Sequence, residues 1–263
     1  MKLTDKVVII TGAANGIGAA LARRIAAERP TGIVLSDIDA AGLESVADSI
    51  RAIGGQAVTQ VADATSKEQM RALVARARQE FGGVHVFCSN AGVAFGTGLL
   101  AADEQWLKSW QLNVMQHVYA AQACVALMQR QGEGYLLLTA SGAGLLGVPG
   151  DAPYTVTKHA EVALAEWLAY TYRPKGIRVS ALCPLGVRTS LLMPGVAAGH
   201  PSALAIAAAA DLLEPEEVAE MTVAGMDRED FLILPHPTVA DRYAAKAQNV
   251  DAWIDQTIAA AGQ

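Results

Sequence analysis

The sequence predicts an α/β protein in which helices cover both faces of a parallel sheet. Short β-branched runs alternate with longer amphipathic stretches from the N-terminus onward. The runs are apolar at consecutive positions, as in residues 7–10 (VVII), which is typical of strands that are buried on both faces. Because the connections are short, right-handed β-α-β crossovers predict a doubly wound sheet of about seven strands.

The predicted elements follow one another regularly over the first two thirds of the chain. Pro30 follows the first helix, Ser66 is placed to cap the third helix, and Gly82 follows it. The predicted strands are residues 7–10, 33–36, 57–61, 84–88, 135–139, 177–182 and 231–234. The predicted helices are residues 16–29, 39–53, 66–81, 103–131 and 152–172, one beginning at Glu214, and a tail over 238–262.

Composition excludes several classes of protein. The 263 residues carry 20 Lys and Arg against 26 Asp and Glu, a formal charge of −6, and 52% are hydrophobic, so the chain is not disordered. It has no basic run for a nucleic acid and no apolar run of about 18 residues for a membrane span. It begins without the apolar stretch of a signal peptide. We therefore expect a cytoplasmic protein with one domain over residues 1–263.

The cysteines and histidines do not predict a metal site. Three widely spaced cysteines fit neither a disulfide framework nor a zinc cluster, and we expect Cys88 and Cys183 to be core thiols on strands near a cofactor. The histidines show no ligand-like clustering, and we expect them to be packed or surface residues. They are His85, His117, His159, His200 and His236.

A glycine-rich segment, TGAANGIG over residues 11–18, connects the first strand to the first helix. Gly12 permits a tight turn, Gly16 lets the backbone approach phosphate oxygens, and Gly18 lets helix and strand pack closely. Free N–H groups and the helix dipole favour a diphosphate there, although an ordinary tight loop is the alternative. The predicted phosphate-binding residues are Gly12, Asn15, Gly16, Ile17 and Gly18.

An acidic residue, Asp37, ends the second strand 19 residues after Gly18. A carboxylate at this place can accept hydrogen bonds from both hydroxyls of an adenosine ribose and would repel a 2′-phosphate. Residues 13–15 and Ile38 offer no cation to such a phosphate. The sequence therefore predicts NAD rather than NADP, the alternative being that Asp37 is a loop or capping residue.

Tyr154 and Lys158 lie four residues apart on one face of a predicted helix. A free tyrosine, with a pKa of about 10, is a poor base at neutral pH. An ammonium nearby, together with an oxidised nicotinamide, favours the phenolate. Ser141 lies 13 residues before Tyr154, at the carboxyl edge of the sheet, where its hydroxyl can polarise a reacting oxygen. The Tyr-x-x-x-Lys pair is a weak signal alone, but it is strong together with Ser141 and the glycine turn.

At these residues the sequence resembles the short-chain dehydrogenase/reductase family, in its single-domain branch of roughly 250 residues. The resemblance covers about residues 5–190 and implies a Rossmann-type fold. It also implies that Asn113 is a catalytic residue that positions a water between Lys158 and a proton relay. Further cofactor contacts implied by the resemblance are Asp63 and Ala64, then Asn90, Ala91 and Gly92, then Pro184, Gly186, Val187 and Thr189, besides Tyr154 and Lys158 themselves.

Two positions depart from the family pattern. Leu185 stands where the family usually has glycine, at the nicotinamide end of the cleft. The C-terminal Val-Asp-Gly-Gly ending is absent, and residues 234–237 (LPHP) take its place. The resemblance also implies a homo-oligomer, a tetramer or dimer, because the helix that carries Tyr154 pairs with its symmetry mate in similar family members. Trp167 and Tyr170 share that helix.

These residues predict an NAD-dependent oxidoreductase that interconverts a secondary alcohol and its ketone. Tyr154 would remove the hydroxyl proton, Ser141 would hold the oxygen, and Lys158 would bind ribose hydroxyls. The alternatives are a carbonyl reductase using NADH or NADPH, the latter opposed by Asp37, and a cofactor-binding sensor or scaffold without turnover. A methyltransferase that uses S-adenosylmethionine has no need of the Tyr and Lys pair.

The segment 185–213 suggests a mobile apolar flap over the substrate. It holds two prolines, three glycines and a run of alanines, with almost no charge. Its large apolar residues are Leu191, Leu192, Met193, Val196, Leu204 and Ile206. Such a lid favours a hydrophobic cyclic, terpenoid, steroid or aryl alcohol, although it could merely exclude water. Because Arg188 is basic, a charged substrate is disfavoured rather than excluded.

Overall fold

A computed structural model describes residues 1–260 and confirms a seven-stranded parallel sheet. The strand order is β3-β2-β1-β4-β5-β6-β7, and every pair of neighbours is parallel. The strands are β1 (Val7–Thr11), β2 (Gly32–Asp37), β3 (Ala57–Val61), β4 (Val86–Ser89), β5 (Gly134–Thr139), β6 (Ile177–Leu182) and β7 (Leu232–Ile233). The order reverses between β1 and β4, which opens a crevice at the carboxyl ends of these strands.

Helices cover both faces of the sheet. They are α1 (Gly16–Ala26), α2 (Ala40–Ala52), α3 (Lys67–Phe81), α4 (Asp103–Trp110), α5 (Gln116–Gln131), α6 (Ala143–Leu146), α7 (Ala152–Tyr172), α8 (Met193–Ala197), α9 (Pro201–Ala209), α10 (Pro215–Arg228), α11 (Thr238–Gln248) and α12 (Val250–Ala260). The caps follow the sequence: Ser66 accepts a hydrogen bond from the Gln69 amide, and Gly82 ends α3 with φ of +86°. Among residues 1–260, no helix is long and apolar enough to cross a bilayer.

The two faces of the sheet carry separate hydrophobic clusters. Val7 and Ile9 belong to one cluster, whereas Val8 and Ile10 belong to the other. Because side chains alternate between the faces of a strand, burial on both sides requires apolar residues at consecutive positions. This alternation is the physical reason for the uninterrupted apolar runs in the sequence.

Several predicted boundaries are wrong. The predicted helix 103–131 is α4 and α5 joined by a π-helical turn, Gln111–Met115. The first helix ends at Ala26 because Arg29 adopts a left-handed conformation, with φ of +56°. The segment 185–213 contains the short helices α8 and α9, and the tail divides into two helices at Asn249. Residues 261 and 262 of the predicted tail lie outside the described residues.

Candidate active site

A cleft of about 970 Å³ lies at the carboxyl ends of the strands, where the strand order reverses. It is lined from the glycine turn after β1, across the ends of β2 to β6, to the flap segment. The predicted catalytic and cofactor-binding residues line this cleft except for Gly18, Asn113 and Gly186. Residues far apart in the sequence are thus brought to one edge of the sheet, as expected for a parallel α/β fold.

The glycine turn has the conformation that its residues predict. Gly12 and Gly16 adopt left-handed backbone angles, with φ of +64° and +53°. A Cβ at Gly18 would overlap the carbonyl oxygen of Gly12, so this glycine packs the helix against the turn rather than lining the cleft. The first amides of a helix have no partner within it, and the residues Gly12, Asn15, Gly16 and Ile17 of this turn line the cleft.

Asp37 is held at the edge of the cleft by backbone amides. Its Oδ1 accepts hydrogen bonds from the amides of Ile38 (2.7 Å) and Asp39 (3.1 Å), and its Oδ2 accepts one from Ala14 (3.1 Å). Asp39, not Asp37, caps α2. Asp37 therefore does not cap α2, but its bonds do hold loop amides, as the loop alternative implies, and they fix its carboxylate beside the glycine turn.

Tyr154 and Lys158 both line the cleft from α7. Asp151 caps this helix by accepting a hydrogen bond from the Tyr154 amide (3.1 Å), which fixes the first turn. The Lys158 Nζ atom lies 5.6 Å from the centroid of the Tyr154 ring and donates to the carbonyl oxygen of Thr139 (2.8 Å). The lysine is therefore positioned by the end of β5, with its charge next to the phenol.

Ser141 follows β5 and lines the same cleft. Its Oγ atom accepts a hydrogen bond from the Ala143 amide (3.1 Å) and donates to the Pro184 carbonyl oxygen (3.4 Å). These contacts join the segments that follow β5 and β6. The hydroxyl is therefore fixed at the carboxyl edge, as the sequence predicts.

Asn113 lies behind the cleft rather than in it. It sits in the π-helical turn and is fully buried; its Oδ1 accepts from the Val93 amide and its Nδ2 donates to the Val93 carbonyl oxygen, both at 2.9 Å. The same Nδ2 also donates to Thr157 Oγ1 (3.1 Å). A Cβ at Gly92 would lie 3.5 Å from Asn113 Oδ1 and 3.8 Å from Lys158 Nζ. The side chain of Asn113 thus fixes the loop after β4 next to the lysine.

The comparisons with known proteins agree with this geometry. The family model described as short chain dehydrogenase matches residues 6–198. The chain belongs to the short-chain dehydrogenase family. The match covers the glycine turn, Asp37 and the Ser, Tyr and Lys set, and it confirms the resemblance that these residues indicate.

Proteins with sequences similar to this short-chain dehydrogenase occur in mammals and in bacteria. It is 32% identical to estradiol 17-beta-dehydrogenase 11 of Mus musculus over 90% of this chain and 78% of that protein. It is 35% identical to 1-deoxy-11-beta-hydroxypentalenate dehydrogenase of Streptomyces exfoliatus over 73% of this chain and 71% of that protein. A solved short-chain dehydrogenase/reductase of Burkholderia phymatum, in complex with NAD, superimposes with a TM-score of 0.87 at 28% identity, over 96% of each chain.

The structure places two residues next to Lys158 that the sequence did not assign to the site: Glu161, which was not singled out, and His117, which was expected to be a packed or surface residue. Glu161 is fully buried, and its Oε2 lies 2.8 Å from Lys158 Nζ. His117, also buried, places Nε2 3.0 Å from Glu161 Oε1. A glutamate on a helix normally faces solvent, so the residue type alone did not indicate that Glu161 is buried in the site. Its spacing did give one, because residues 154, 158 and 161 lie on the same helical stripe (i, i+4, i+7).

The two departures from the family pattern are connected in this dehydrogenase. The Leu185 side chain packs over Gly142, where an added Cβ would lie 2.5 Å from Leu185 Cδ2. The Leu185 amide donates to His236 Nδ1 (3.1 Å), and His236 Nε2 lies 3.1 Å from the Asp211 carbonyl oxygen. His236, from the sequence that replaces the usual ending, therefore joins the two ends of the flap segment.

We expect this histidine contact to weaken in acid. Burial lowers the pKa of His236, and a neutral ring is needed because its Nδ1 accepts the Leu185 amide. Since the folded-state value lies below the ordinary value of about 6.5, the stabilisation is present above that pH and is lost as the pH falls through the folded-state value. Burial also lowers the pKa of His85, whose Nδ1 accepts a hydrogen bond from the Val7 amide (3.0 Å). Protonation of His85 should therefore also reduce the stability of the folded protein as the pH falls.

The measurement is the midpoint temperature of unfolding between pH 7.5 and 5. It should fall with pH in the wild type and fall less steeply in His236→Asn, whose Oδ1 can still accept the amide without titrating. An Asn variant with the wild-type slope would show that His236 contributes nothing to the acid sensitivity.

Replacing Gly142 with alanine should disturb the segment that carries Ser141. The new methyl group meets the Leu185 side chain, and overpacking of this kind costs about 1–3 kcal/mol. Leu185→Gly removes the side chain that the new methyl group meets and restores the residue typical of the family. In the double variant it should therefore recover most of the lost free energy of unfolding. A chemical-denaturation cycle over the four proteins measures the coupling, and additive effects would contradict this packing.

Proposed function

We propose that this protein is an NAD-dependent dehydrogenase that interconverts a hydrophobic secondary alcohol and its ketone. The observation that carries the proposal is the convergence of Ser141, Tyr154 and Lys158 on one cleft beside the glycine turn. A phenol next to a fixed ammonium can take up a proton, and a hydroxyl close by can hold the oxygen that loses it.

The reaction divides among these side chains. Tyr154, as phenolate, accepts the proton of the substrate hydroxyl, and Ser141 donates a hydrogen bond to the same oxygen. Lys158 stabilises the phenolate by its charge, and we propose that it also binds ribose hydroxyls. Asn113 is a positioning residue that fixes the loop after β4, and we retain the proposal that it also orders a relay water beside Lys158. NAD, when bound, supplies the acceptor for the hydride from the carbinol carbon.

The cofactor contacts are proposed on the same geometry. Gly12, Asn15, Gly16 and Ile17 surround the proposed place of the diphosphate, and Gly18 packs α1 against that turn. Gly186 belongs to the proposed nicotinamide end, where it packs against Leu212 and Ile206 of the flap segment. Asp37 favours NAD because its fixed carboxylate would repel a 2′-phosphate. The remaining proposed contacts are Asp63, Ala64, Asn90, Ala91, Gly92, Pro184, Val187 and Thr189.

The substrate end of the cleft supports an apolar substrate. Leu191, Leu192 and Ile206 of the flap segment line it. Met193, Val196 and Leu204, which were expected to contribute, do not. Two similar proteins are named as dehydrogenases of estradiol and of 1-deoxy-11-beta-hydroxypentalenate. We therefore propose a cyclic, terpenoid, steroid or aryl alcohol as the class of substrate.

We further propose that the chain works in the cytoplasm as a homo-oligomer, a tetramer or dimer, in which residues 1–263 form one domain. Trp167 and Tyr170 of α7 are 47% and 67% exposed, although both are large aromatic residues. Such an exposed aromatic surface is typical of a contact between subunits. Light scattering of the wild type and of a Trp167→Glu variant would test this assembly.

The test of the proposed function is a panel of apolar secondary alcohols, both enantiomers of each, with NAD or NADP. Reduced cofactor is followed by its absorbance at 340 nm. We expect turnover with NAD and little with NADP. Tight binding of NAD without turnover of any alcohol would instead support a sensor or scaffold, and a preference for NADPH with ketones would support a carbonyl reductase.

A further inference from the structure

The fully buried Glu161 has no part in the reaction as proposed above. Its Oε2 contacts the ammonium of Lys158, and its Oε1 lies at ion-pair distance from His117 on α5. Although His117 Nε2 and Glu161 Oε1 lie 3.0 Å apart, their geometry is not that of a hydrogen bond. The contact with Lys158 is a hydrogen bond of 2.8 Å. Of its two neighbours, the carboxylate is therefore bound to the lysine.

A buried lysine needs such a partner. Lys158 is only 3% exposed, and an ammonium removed from water tends to lose its proton. Burial is the largest single influence on the pKa of Lys158 and lowers it, but the charge and hydrogen bond of Glu161, together with a smaller contribution from Tyr154, leave the net pKa above the ordinary value. The Thr139 carbonyl oxygen also accepts from the lysine but brings no charge.

The other titratable groups around the lysine do not replace Glu161. They are Tyr154 on α7, His117 on α5 and Cys183 after β6. Burial raises the pKa of the Cys183 thiol to about 12, so it stays neutral. Tyr154 is the group whose deprotonation the lysine must promote, and His117 can add only positive charge. Glu161 is thus the only carboxyl group among the groups named here, and it lies in contact with Lys158.

We propose that Glu161 is a positioning residue that keeps Lys158 protonated in the core, and that it thereby sets the alkaline limit of the pH range in which the enzyme turns over. Lys158 donates hydrogen bonds to Glu161 and Thr139, and its Nζ atom lies 5.6 Å from the centroid of the Tyr154 ring. Without the carboxylate the lysine would lose its charge at a lower pH, and the phenolate would lose its support. The kinetic part of this inference rests on the proposed function.

The first test needs no substrate. In protein labelled with ¹⁵N at lysine Nζ, the Lys158 resonance is identified by its absence in Lys158→Met, and its shift is followed from pH 6 to 11. We expect it to remain an ammonium up to the ordinary lysine value of about 10.4 or beyond in the wild type, and to titrate at least about one pH unit lower in Glu161→Gln. A wild-type lysine that titrates clearly below the ordinary value would overturn the proposal even if the variant failed to fold.

The second test is the pH profile of kcat with the best alcohol of the panel. Glu161→Gln should bring the alkaline decline at least about one pH unit lower, with the acid side much less affected. Glu161→Asp, which keeps the charge, should restore most of the range. Glu166→Gln is the matched control, because Glu166 is exposed on the same helix and pairs with no cation among the described residues.

The outcomes separate this inference from the proposed function. If Lys158 titrated at a lower pH in Glu161→Gln but the alkaline decline of kcat did not move, the kinetic claim would be refuted. An Asp variant that behaves like the Gln variant would show that a negative charge at this position does not keep Lys158 protonated, and would refute both claims. If the wild type turned over no alcohol, the proposed function would fail, while the titration of Lys158 would still decide whether Glu161 holds its proton.

Discussion

Tyr154→Phe is expected to lower kcat for alcohol oxidation by about 10²–10⁴-fold, the usual contribution of a general acid or base. The phenol oxygen is the group that accepts the substrate proton, and phenylalanine keeps the ring while removing that oxygen. The Lys158 side chain should stay in place, because Thr139 and Glu161 hold it independently of the phenol. The affinity for NAD should therefore fall far less than kcat, by no more than the loss of the one cofactor contact proposed for the Tyr154 hydroxyl.

Stopped-flow or steady-state rates of NADH formation measure the first effect, and calorimetric binding of NAD measures the second. Tyr170→Phe is the matched control, since it makes the same change at an exposed position of α7. A Tyr154→Phe enzyme that retained most of the wild-type rate would assign the proton transfer to another group.

Asp37→Ala combined with Ile38→Arg should reverse the preference for the cofactor. The change removes a carboxylate that repels the 2′-phosphate and adds a guanidinium that attracts it. Ile38 is 74% exposed, so arginine can be accommodated there without disturbing the core. We expect the ratio of kcat/KM for NAD to that for NADP to fall by roughly 10²-fold or more, since like-charge contacts cost several kcal/mol and each 1.4 kcal/mol is tenfold.

The single variants separate the two contributions. Ile38→Arg alone should raise kcat/KM for NADP only slightly, because the Asp37 carboxylate still repels the 2′-phosphate. Asp37→Ala alone should lower kcat/KM for NAD, since the adenosine ribose loses its hydrogen-bond acceptor. If the double variant kept the wild-type ratio, Asp37 would not face the adenosine ribose, and the orientation of the cofactor in the cleft would have to be revised.

The sequence was sufficient for the fold and for much of the candidate site because both depend on local patterns. The consecutive apolar residues of β1 follow from burial on two faces, and the turn at Gly12 and Gly16 needs conformations that glycine adopts easily. Asp37 and Ser141 come at the ends of strands, and parallel strands bring such ends together. For these residues, the position in the sequence relative to a strand is enough to predict the place in the fold.

What the sequence did not predict depends on contacts between distant segments. His117 meets Glu161 only because α5 packs beside α7, and His236 reaches Leu185 only when the chain after β7 returns to the flap segment. The π-helical turn at Asn113 has no signature in the residue pattern, since one extra residue per turn leaves the local propensities unchanged. Single-sequence reasoning treats each of these residues as an ordinary helix or loop position.

The most direct test of the proposed chemistry uses a cyclic secondary alcohol that carries deuterium on its carbinol carbon. After reaction with NAD, mass spectrometry of the reduced cofactor should show one deuterium transferred from the alcohol, and the rate should fall relative to the unlabelled alcohol when transfer limits turnover. Tyr154→Phe should abolish the labelling on the same time scale. Reduced cofactor without deuterium, or deuterium released to water, would contradict direct transfer from the alcohol and with it the proposed function of the cleft.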